Sequence, residues 1–371
     1  MSLGKVSVGS TNSGAGEFST PERQLLYVGA AGKNWGKIVY IDQSTDLDEV
    51  LGDNASRMKT AIYYARLNAS ANWTCIAVPR QAIGEWDIAY DQAMEANVVC
   101  EGVVVTDPIT TAEDINAMNQ AAVAAENEHG RFLFFAGATN KLDATTTTWA
   151  DFIAAFETLQ DGVYAESVVL VPEVFGGWLG CVMGRLCNEL VSIADSPMRV
   201  ATGGIVGLTT LPVDIDGVAF NLAHARALND ARGTVPQTYA DYDGIYCSDC
   251  QTLAPEASDF SVLEYLRVVN KAKRQVRILA IQRVADRQLN STTASIEAHK
   301  AYFARPLTDM SRSTRVNNIY IPGDIQPPKE GDIGITWLSK TNVQVALTVT
   351  PHNSPKSIAA YVGLNLANEA A

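Results

Sequence analysis

The sequence lacks any apolar run long enough to cross a membrane. Its most apolar helical candidate, residues 178–194, carries Arg185, Asn188 and Glu189 and is too short for a bilayer. Residues 1–19 are polar and rich in Gly and Ser, without the basic start and apolar stretch of a secretory signal. We therefore expect a protein that is made and kept in a cytosol, with no membrane insertion and with its six Cys as free thiols.

Recognisable catalytic and ligand-binding motifs are also lacking. Gly29, Gly32 and Gly36 follow a predicted strand, but their spacing fits neither the dinucleotide-binding fingerprint nor the P-loop. Cys247 and Cys250 form a C-x-x-C without a second pair at zinc-ligand spacing, so we interpret them as structural thiols. The four His are scattered, and no G-x-S-x-G is present. The sequence therefore predicts no enzyme, no cofactor and no metal site.

Positive charge is scarce except in one segment. The chain has 28 Lys and Arg against 41 Asp and Glu, and a net charge of -13 disfavours nucleic-acid binding as its main role. Residues 261–300 reverse this balance, with Glu264, Asp286 and Glu297 against eight basic residues: Arg267, Lys271, Lys273, Arg274, Arg277, Arg283, Arg287 and Lys300. Such a segment favours an acidic partner. The alternative is a helix face paired with the protein's own carboxylates.

Strand and helix patterns alternate through the first two thirds of the chain. Residues 1–20 are predicted to be an N-terminal arm, with a short strand pattern at Val6 and Val8. Residues 21–250 are predicted to be an α/β body, because apolar strands without alternation indicate a mostly parallel sheet covered by helices on both faces. The predicted strands are 24–28, 73–78, 102–105, 131–135 and 167–171, and the predicted helices are 55–67, 87–96, 111–126, 149–159 and 178–193. Residues 210–255 are expected to be rich in loops.

The remaining residues predict a smaller α+β domain, 251–350, followed by a strand arm, 351–371. Ser261 and Glu264 form a capping-box pattern for a helix ending near Leu289. A hairpin pattern follows, with Ile333, Ile335 and Trp337 on its first strand and Val343, Val345, Leu347 and Val349 on its second. The terminal strand alternates at Ile358, Ala360, Val362, Leu364 and Leu366. It has no following partner strand, so it pairs either with its own sheet or with a neighbouring molecule.

The order of these parts resembles the sheath proteins of contractile phage tails, a family that includes the sheaths of phage-tail-like bacteriocins. The resemblance covers most of the chain loosely and is strongest in its last third. The segments that carry it are the strand 23–29 (RQLLYVG), the loop 194–197 (ADSP) entering 201–204 (ATGG), then 242–246 (YDGIY), 267–271 (RVVNK), 283–285 (RVA) and the final strands.

This resemblance implies a structural subunit of a virion tail that is assembled in the bacterial host cytoplasm. It implies stacked hexameric rings around a tail tube, contraction that drives the tube through a cell envelope, and baseplate and tail terminator proteins as further partners. Val6, Val8 and the strand at 358–366 would exchange between subunits, with the hairpin at 333–349 receiving them. Arg267, Lys271, Lys273, Arg274 and Arg277 would contact the tube, although they point to different sides of the helix.

The alternative from another class is a cytosolic α/β nucleotide-dependent enzyme or ligand-binding protein. Such a protein would use the crevice at the carboxyl ends of the strands, near Gly29, Gly32, Asp107 and Gly137. Its support is only at the level of the fold.

Overall fold

The computed structural model describes residues 21–255, 257–316 and 319–362. Val6, Val8, Leu364 and Leu366 lie outside these ranges. A six-stranded sheet forms the centre of the body, in the order β2-β3-β1-β4-β5-β6. Its strands are β1 (Leu25–Ala30), β2 (Val39–Asp42), β3 (Thr74–Arg80), β4 (Gly102–Pro108), β5 (Phe134–Ala138) and β6 (Val168–Val171). All neighbouring pairs are parallel except β2 with β3.

The predicted mostly parallel sheet is confirmed, and each of its five predicted strands is present within three residues of its expected start. These strands are buried along nearly their whole length, because helices cover both faces of the sheet. The edge strand β2 was not predicted. Its four residues carry the exposed Tyr40 and offer only a short pattern.

Helices of the body cover the sheet. They are α1 (Leu47–Leu51), α2 (Arg57–Asn68), α3 (Trp86–Glu95), α4 (Ala112–His129), α5 (Trp149–Leu159) and α6 (Trp178–Leu186). The backbones of α2 and α6 approach closely at Gly180 and Gly184, where a Cβ would overlap the carbonyl oxygens of Ala61 and Ala65. The prediction that α6 reaches residue 193 is wrong. Asn188 accepts a hydrogen bond from the Leu190 amide in the turn that follows it.

A short 3-10 helix (Val200–Thr202) precedes the segment 210–255, which is mostly irregular, as expected. That segment also contains α7 (Leu222–Asp230) and an antiparallel hairpin of β7 (Pro236–Tyr239) and β8 (Tyr242–Cys247). These short elements were not predicted.

In its described residues, the C-terminal part has two long helices and two antiparallel pairs of strands. Its elements are α8 (Leu263–Ile281), α9 (Thr293–Met310), β9 (Thr314–Val316), β10 (Ile319–Ile321), β11 (Ile333–Trp337) and β12 (Val343–Leu347). The prediction of a capping box at Ser261 is wrong, because Val262 is the N-cap and the Glu264 side chain binds Lys356 instead. The predicted end near Leu289 is also wrong, since α8 ends at Ile281.

Two hydrophobic cores meet at α8. Leu263 and Leu266 of this helix belong to the large core around the central sheet. Val268, Ala272, Val276 and Leu279 belong to a smaller core with α9 and the hairpin of β11 and β12. Helix α8 therefore links the body to the C-terminal part. No helix in the described ranges is long and apolar enough to span a membrane.

Candidate functional site

The first candidate surface is the basic stripe of α8, and its central residue points into the protein. Arg267 donates from Nε to Glu101 Oε1 at 2.7 Å and from Nη2 to Glu101 Oε2 at 2.9 Å. The two side chains are 2% and 1% exposed. The Arg23 amide also donates to Glu101, at 2.6 Å. The expectation that Arg267 contacts a tube is therefore wrong, because its guanidinium is used inside the chain.

Electrostatics agree with this buried pair. Burial alone would raise the pKa of Glu101. The charge and hydrogen bonds of Arg267, the Arg23 amide and the charge of Arg274 together outweigh burial, so the pKa of that carboxyl lies below its usual value. Glu101 in turn raises the pKa of Arg267, although burial alone would lower it. Both groups are therefore charged at neutral pH and fix α8 to the start of β4.

Two further basic residues of the stripe also pair inside the chain. Lys271 donates to Asp324 Oδ2 at 2.7 Å, and both side chains are largely buried. Arg274 donates to Glu22 Oε1 at 2.8 Å and to the Phe132 carbonyl at 2.9 Å. Neither side chain is free to contact a separate protein without losing these bonds.

Lys273 and Arg277 lie on the outside of α8. Lys273 pairs with Glu126 of α4 at 2.9 Å, and the two side chains are 39% and 44% exposed. Arg277 is exposed and lies against Gly130, where a Cβ would overlap its guanidinium. The structure thus divides the five predicted tube contacts: three side chains are engaged inside and two lie at the surface.

The second candidate surface is the C-terminal hairpin. Ile333 faces Leu347 and Ile335 faces Val345 across the two strands, and these side chains pack on the smaller core. Trp337 faces Val343 at the turn end, and Val349 follows β12 and packs against the same core. Among the described residues, neither strand pairs with a third named strand. The hairpin therefore has main-chain groups along its outer edges that another strand can bind.

The third candidate surface is the segment after the hairpin. Residues 357–362 form neither helix nor strand, and Ile358 and Val362 are 79% and 99% exposed. Ala360 is exposed as well. The strand expected here is thus absent from the single chain in its described part, and these apolar side chains do not pack into their own core.

Lys356 precedes this segment, and sequence reasoning missed its role. Its Nζ donates to Glu264 Oε1 at 2.7 Å and also to Asp249. Burial raises the pKa of Glu264 to about 7, Asp249 adds to the rise, and Lys356 opposes it. The three residues are separated by 92 and 107 positions. No sequence signal marks such distant pairs in a single chain.

The crevice at the strand ends is occupied by the protein's own carboxylates. Glu173 accepts hydrogen bonds from the amides of Gly177, Trp178 and Leu179 at the start of α6, at 2.6, 3.2 and 3.0 Å. Asp107 accepts from the amides of Ala30 and Gly84 at 2.8 and 2.9 Å. An anionic ligand at a helix N-terminus would need such amides. The arrangement therefore disfavours a phosphate site there.

The remaining chemical motifs are explained by packing. A Cβ at Gly29 would overlap the Thr106 hydroxyl, so this glycine permits close contact between β1 and β4. Cys247 and Cys250 are buried free thiols, and burial raises the pKa of Cys247 to about 12. Within the described ranges, no group of three or more His, Cys, Asp or Glu side chains could hold a metal ion.

Solved structures with this fold are sheath proteins and related parts of contractile tail-like particles. The contracted helical sheath of the anti-feeding prophage matches with a TM-score of 0.57 at 15% identity, covering 98% of this chain and 100% of that chain. The sheath tail protein of Desulfitobacterium hafniense matches with a TM-score of 0.53 at 9% identity, covering 93% and 96%. A chain of the anti-feeding prophage baseplate matches with a TM-score of 0.60 at 13% identity, covering 99% and 100%. The fold is therefore that of a tail sheath protein.

Sequence comparisons give the family. The model described as "DUF2586, N-terminal domain" matches residues 3–251, and "DUF2586, C-terminal domain" matches residues 259–367. A curated relative from Haemophilus phage HP1 (strain HP1c1), "Putative tail sheath protein", is 38% identical over 367 residues, covering 97% of this chain and 98% of the relative. The chain belongs to the DUF2586 family, and its role is that of a structural tail sheath protein.

Proposed function

We propose that this protein forms the contractile sheath of a phage tail or tail-like particle by stacking as hexameric rings around a tail tube. Strands of its terminal arms pair with neighbouring subunits, and contraction of the lattice drives the tube through the target cell envelope. Its partners are further copies of itself, the tube protein, and the baseplate and tail terminator proteins. Assembly takes place in the bacterial host cytoplasm, and the product is part of the virion tail.

The observation that carries this proposal is that one subunit has both a strand-like segment without a partner strand and a hairpin whose outer edges have no partner strand. Ile358, Ala360 and Val362 alternate as in a half-buried strand, yet they are exposed in the single chain. The hairpin of β11 and β12 has open edges in the described structure. Strand addition between subunits satisfies both features, because the arm gains main-chain hydrogen bonds and buries its apolar side chains.

The arms and domains of this subunit are proposed to have the bounds predicted from the sequence. Residues 1–20 and 351–371 are the exchanging arms, 21–250 the body, and 251–350 the domain that carries the receiving hairpin. Val6, Val8, Leu364 and Leu366 are proposed to extend the exchanged strands. The tube contact is proposed to involve the outer side of α8, where Lys273 and Arg277 are accessible.

Deletion of residues 357–371 tests the exchange. The truncated protein is expected to keep the wild-type unfolding temperature, because the described part of this segment has no helix, strand or buried side chain. It is expected to remain monomeric in sedimentation velocity, whereas the full chain is expected to form tubes visible by electron microscopy. A large fall in unfolding temperature, or normal tubes from the truncated protein, would contradict strand exchange.

A matched pair of full-length variants sharpens this test. Ile358→Asp with Val362→Asp changes the face that the alternation predicts to be buried, whereas Ala359→Asp with Tyr361→Asp adds the same charge to the opposite face. Only the first pair is expected to prevent tube formation. Equal effects of the two pairs would show that the segment does not bind as a strand with one buried face.

A further inference from the structure

Both terminal arms begin beside the same helix. Glu22 lies two residues after the N-terminal arm, 1–20, and pairs with Arg274. Lys356 lies early in the C-terminal arm, directly before the exposed residues 357–362, and pairs with Glu264. Glu264 and Arg274 are ten positions apart on α8, which places them about 15 Å apart along the helix axis. Helix α8, which joins the two cores, thus also binds the residues near which the two arms leave the body.

Within the described part of the chain, Lys356 is the one residue of its segment, 352–362, with a hydrogen bond to the body. From His352 to Val362, every residue except Lys356 is exposed, and none belongs to a helix or strand. The ammonium group of Lys356 reaches a carboxylate of α8, Glu264, whose side chain is 2% exposed. It also reaches Asp249, which accepts a second hydrogen bond from the Ser196 hydroxyl at 2.6 Å. One side chain therefore fixes the backbone at the start of an otherwise unattached stretch.

We propose that Lys356 is a positioning residue that sets the place and direction at which the C-terminal arm leaves the subunit. This inference rests on the proposed strand exchange between subunits. An arm whose first residues are fixed to the body samples a smaller volume than an arm whose first residues are free. Its effective concentration at a neighbour's hairpin is therefore higher. Fixing the root in advance also lowers the conformational entropy lost when the arm pairs.

Without the Lys356 side chain, the start of the arm is no longer held against the body in one orientation. Among the described residues, the nearest remaining attachment is then at the end of the hairpin, where the main-chain amide of Gln326 donates to the Thr350 carbonyl at 2.8 Å and Ile325 bridges Pro351. The five residues 352–356 become part of the flexible tether. We expect the critical concentration for tube formation to rise at least about tenfold, which is the effect of ordering a single one of these residues on pairing.

The test compares three substitutions in the full-length protein. Lys356→Met removes the ammonium group, Lys356→Arg keeps a cation, and Lys329→Met removes an exposed Lys elsewhere in the same domain. The critical concentration is measured by light scattering and by pelleting of tubes. Only Lys356→Met is expected to raise it. An unchanged critical concentration for Lys356→Met, or an equal rise for Lys329→Met, would overturn the proposal.

A second measurement does not depend on assembly. Spin labels at Ser357→Cys and Arg277→Cys, both exposed positions, report the distance from the arm root to the far end of α8 in the monomer. The six native Cys are buried and should not react in the folded chain. Lys356→Met is expected to broaden the distance distribution several-fold. A distribution as narrow as that of the unsubstituted labelled protein would refute the positioning role.

These results separate the inference from the function on which it rests. If deletion of residues 357–371 leaves tube formation unchanged, strand exchange itself is wrong. If the deletion abolishes tubes while Lys356→Met assembles as the wild type, only the positioning role is wrong. Thermal unfolding of Lys356→Met checks its fold. A cooperative transition is expected, at a lower temperature than that of Lys329→Met, because the buried Glu264 loses its cation.

Discussion

Replacing Arg267 with Met should destabilise the protein severely. The substitution leaves Glu101, which is 1% exposed, without its guanidinium partner. Only the Arg23 amide would remain as a hydrogen-bond donor to this carboxylate. Breaking a buried ion pair on one side typically costs about 3–5 kcal/mol, a large fraction of the usual stability of a folded domain.

Lys273→Met is the matched control. It removes a cation from the same helix, but its pair with Glu126 is 39% and 44% exposed and should contribute at most about 1 kcal/mol. Arg267→Met combined with Glu101→Gln removes both charges and keeps an acceptor for the Arg23 amide. This double variant should be more stable than Arg267→Met alone, because no unpaired charge stays buried.

Urea unfolding at pH 7 measures these differences, followed by Trp fluorescence and by far-UV circular dichroism at concentrations below the polymerisation threshold. Coincident curves from the two probes are required before the midpoints are converted into free energies. Equal, small effects of Arg267→Met and Lys273→Met would refute the reasoning. They would mean that Arg267 is solvated in solution, as the sequence-based expectation of a tube contact requires.

The remaining predictions concern pH, the tube and ligands. Because burial first, and Asp249 second, raise the pKa of Glu264 from 4.5 to about 7, its contribution to stability is complete below about pH 4.5 and is lost as pH rises through about 7. Glu264→Gln should remove this decline. The difference in urea midpoint between the wild type and this variant should therefore change with pH, and a constant difference would contradict the prediction. Lys273→Glu with Arg277→Glu should weaken assembly on tubes but not the formation of empty tubes, whereas undiminished co-sedimentation with tube protein would remove α8 from that contact. Millimolar ATP, NAD or FAD should not shift the unfolding temperature, because Glu173 occupies the amides that would bind a phosphate, and a clear shift would contradict this.

The sequence predicted the central sheet well because its strands are buried on both faces. Such strands are apolar at nearly every position, and this pattern needs no knowledge of distant residues. Helix α9 was missed although Ile296, His299, Phe303, Leu307 and Met310 recur at spacings of three and four. Pro306 lies inside this helix, where a proline removes a main-chain hydrogen bond and usually disrupts a helix, so the apolar spacing is the signal that indicates α9.

Charge could not be interpreted in the same way, because a charged residue has the same signature whether its partner lies inside the chain or in another protein. Arg267 and Glu101 are 166 positions apart, and neither flanking sequence marks the other as a partner. The alternation of apolar residues at 333–349 and 358–362 predicts strands and the face of each strand that is buried. It does not predict which molecule covers that face. The unpaired hairpin edges and the exposed segment 357–362 favour a second subunit, and Lys356 is proposed to position the segment for that contact. The basic helix instead pairs with Glu101, Asp324 and Glu22 of its own subunit, which leaves only its outer side, with Lys273 and Arg277, for the proposed contact with the tube.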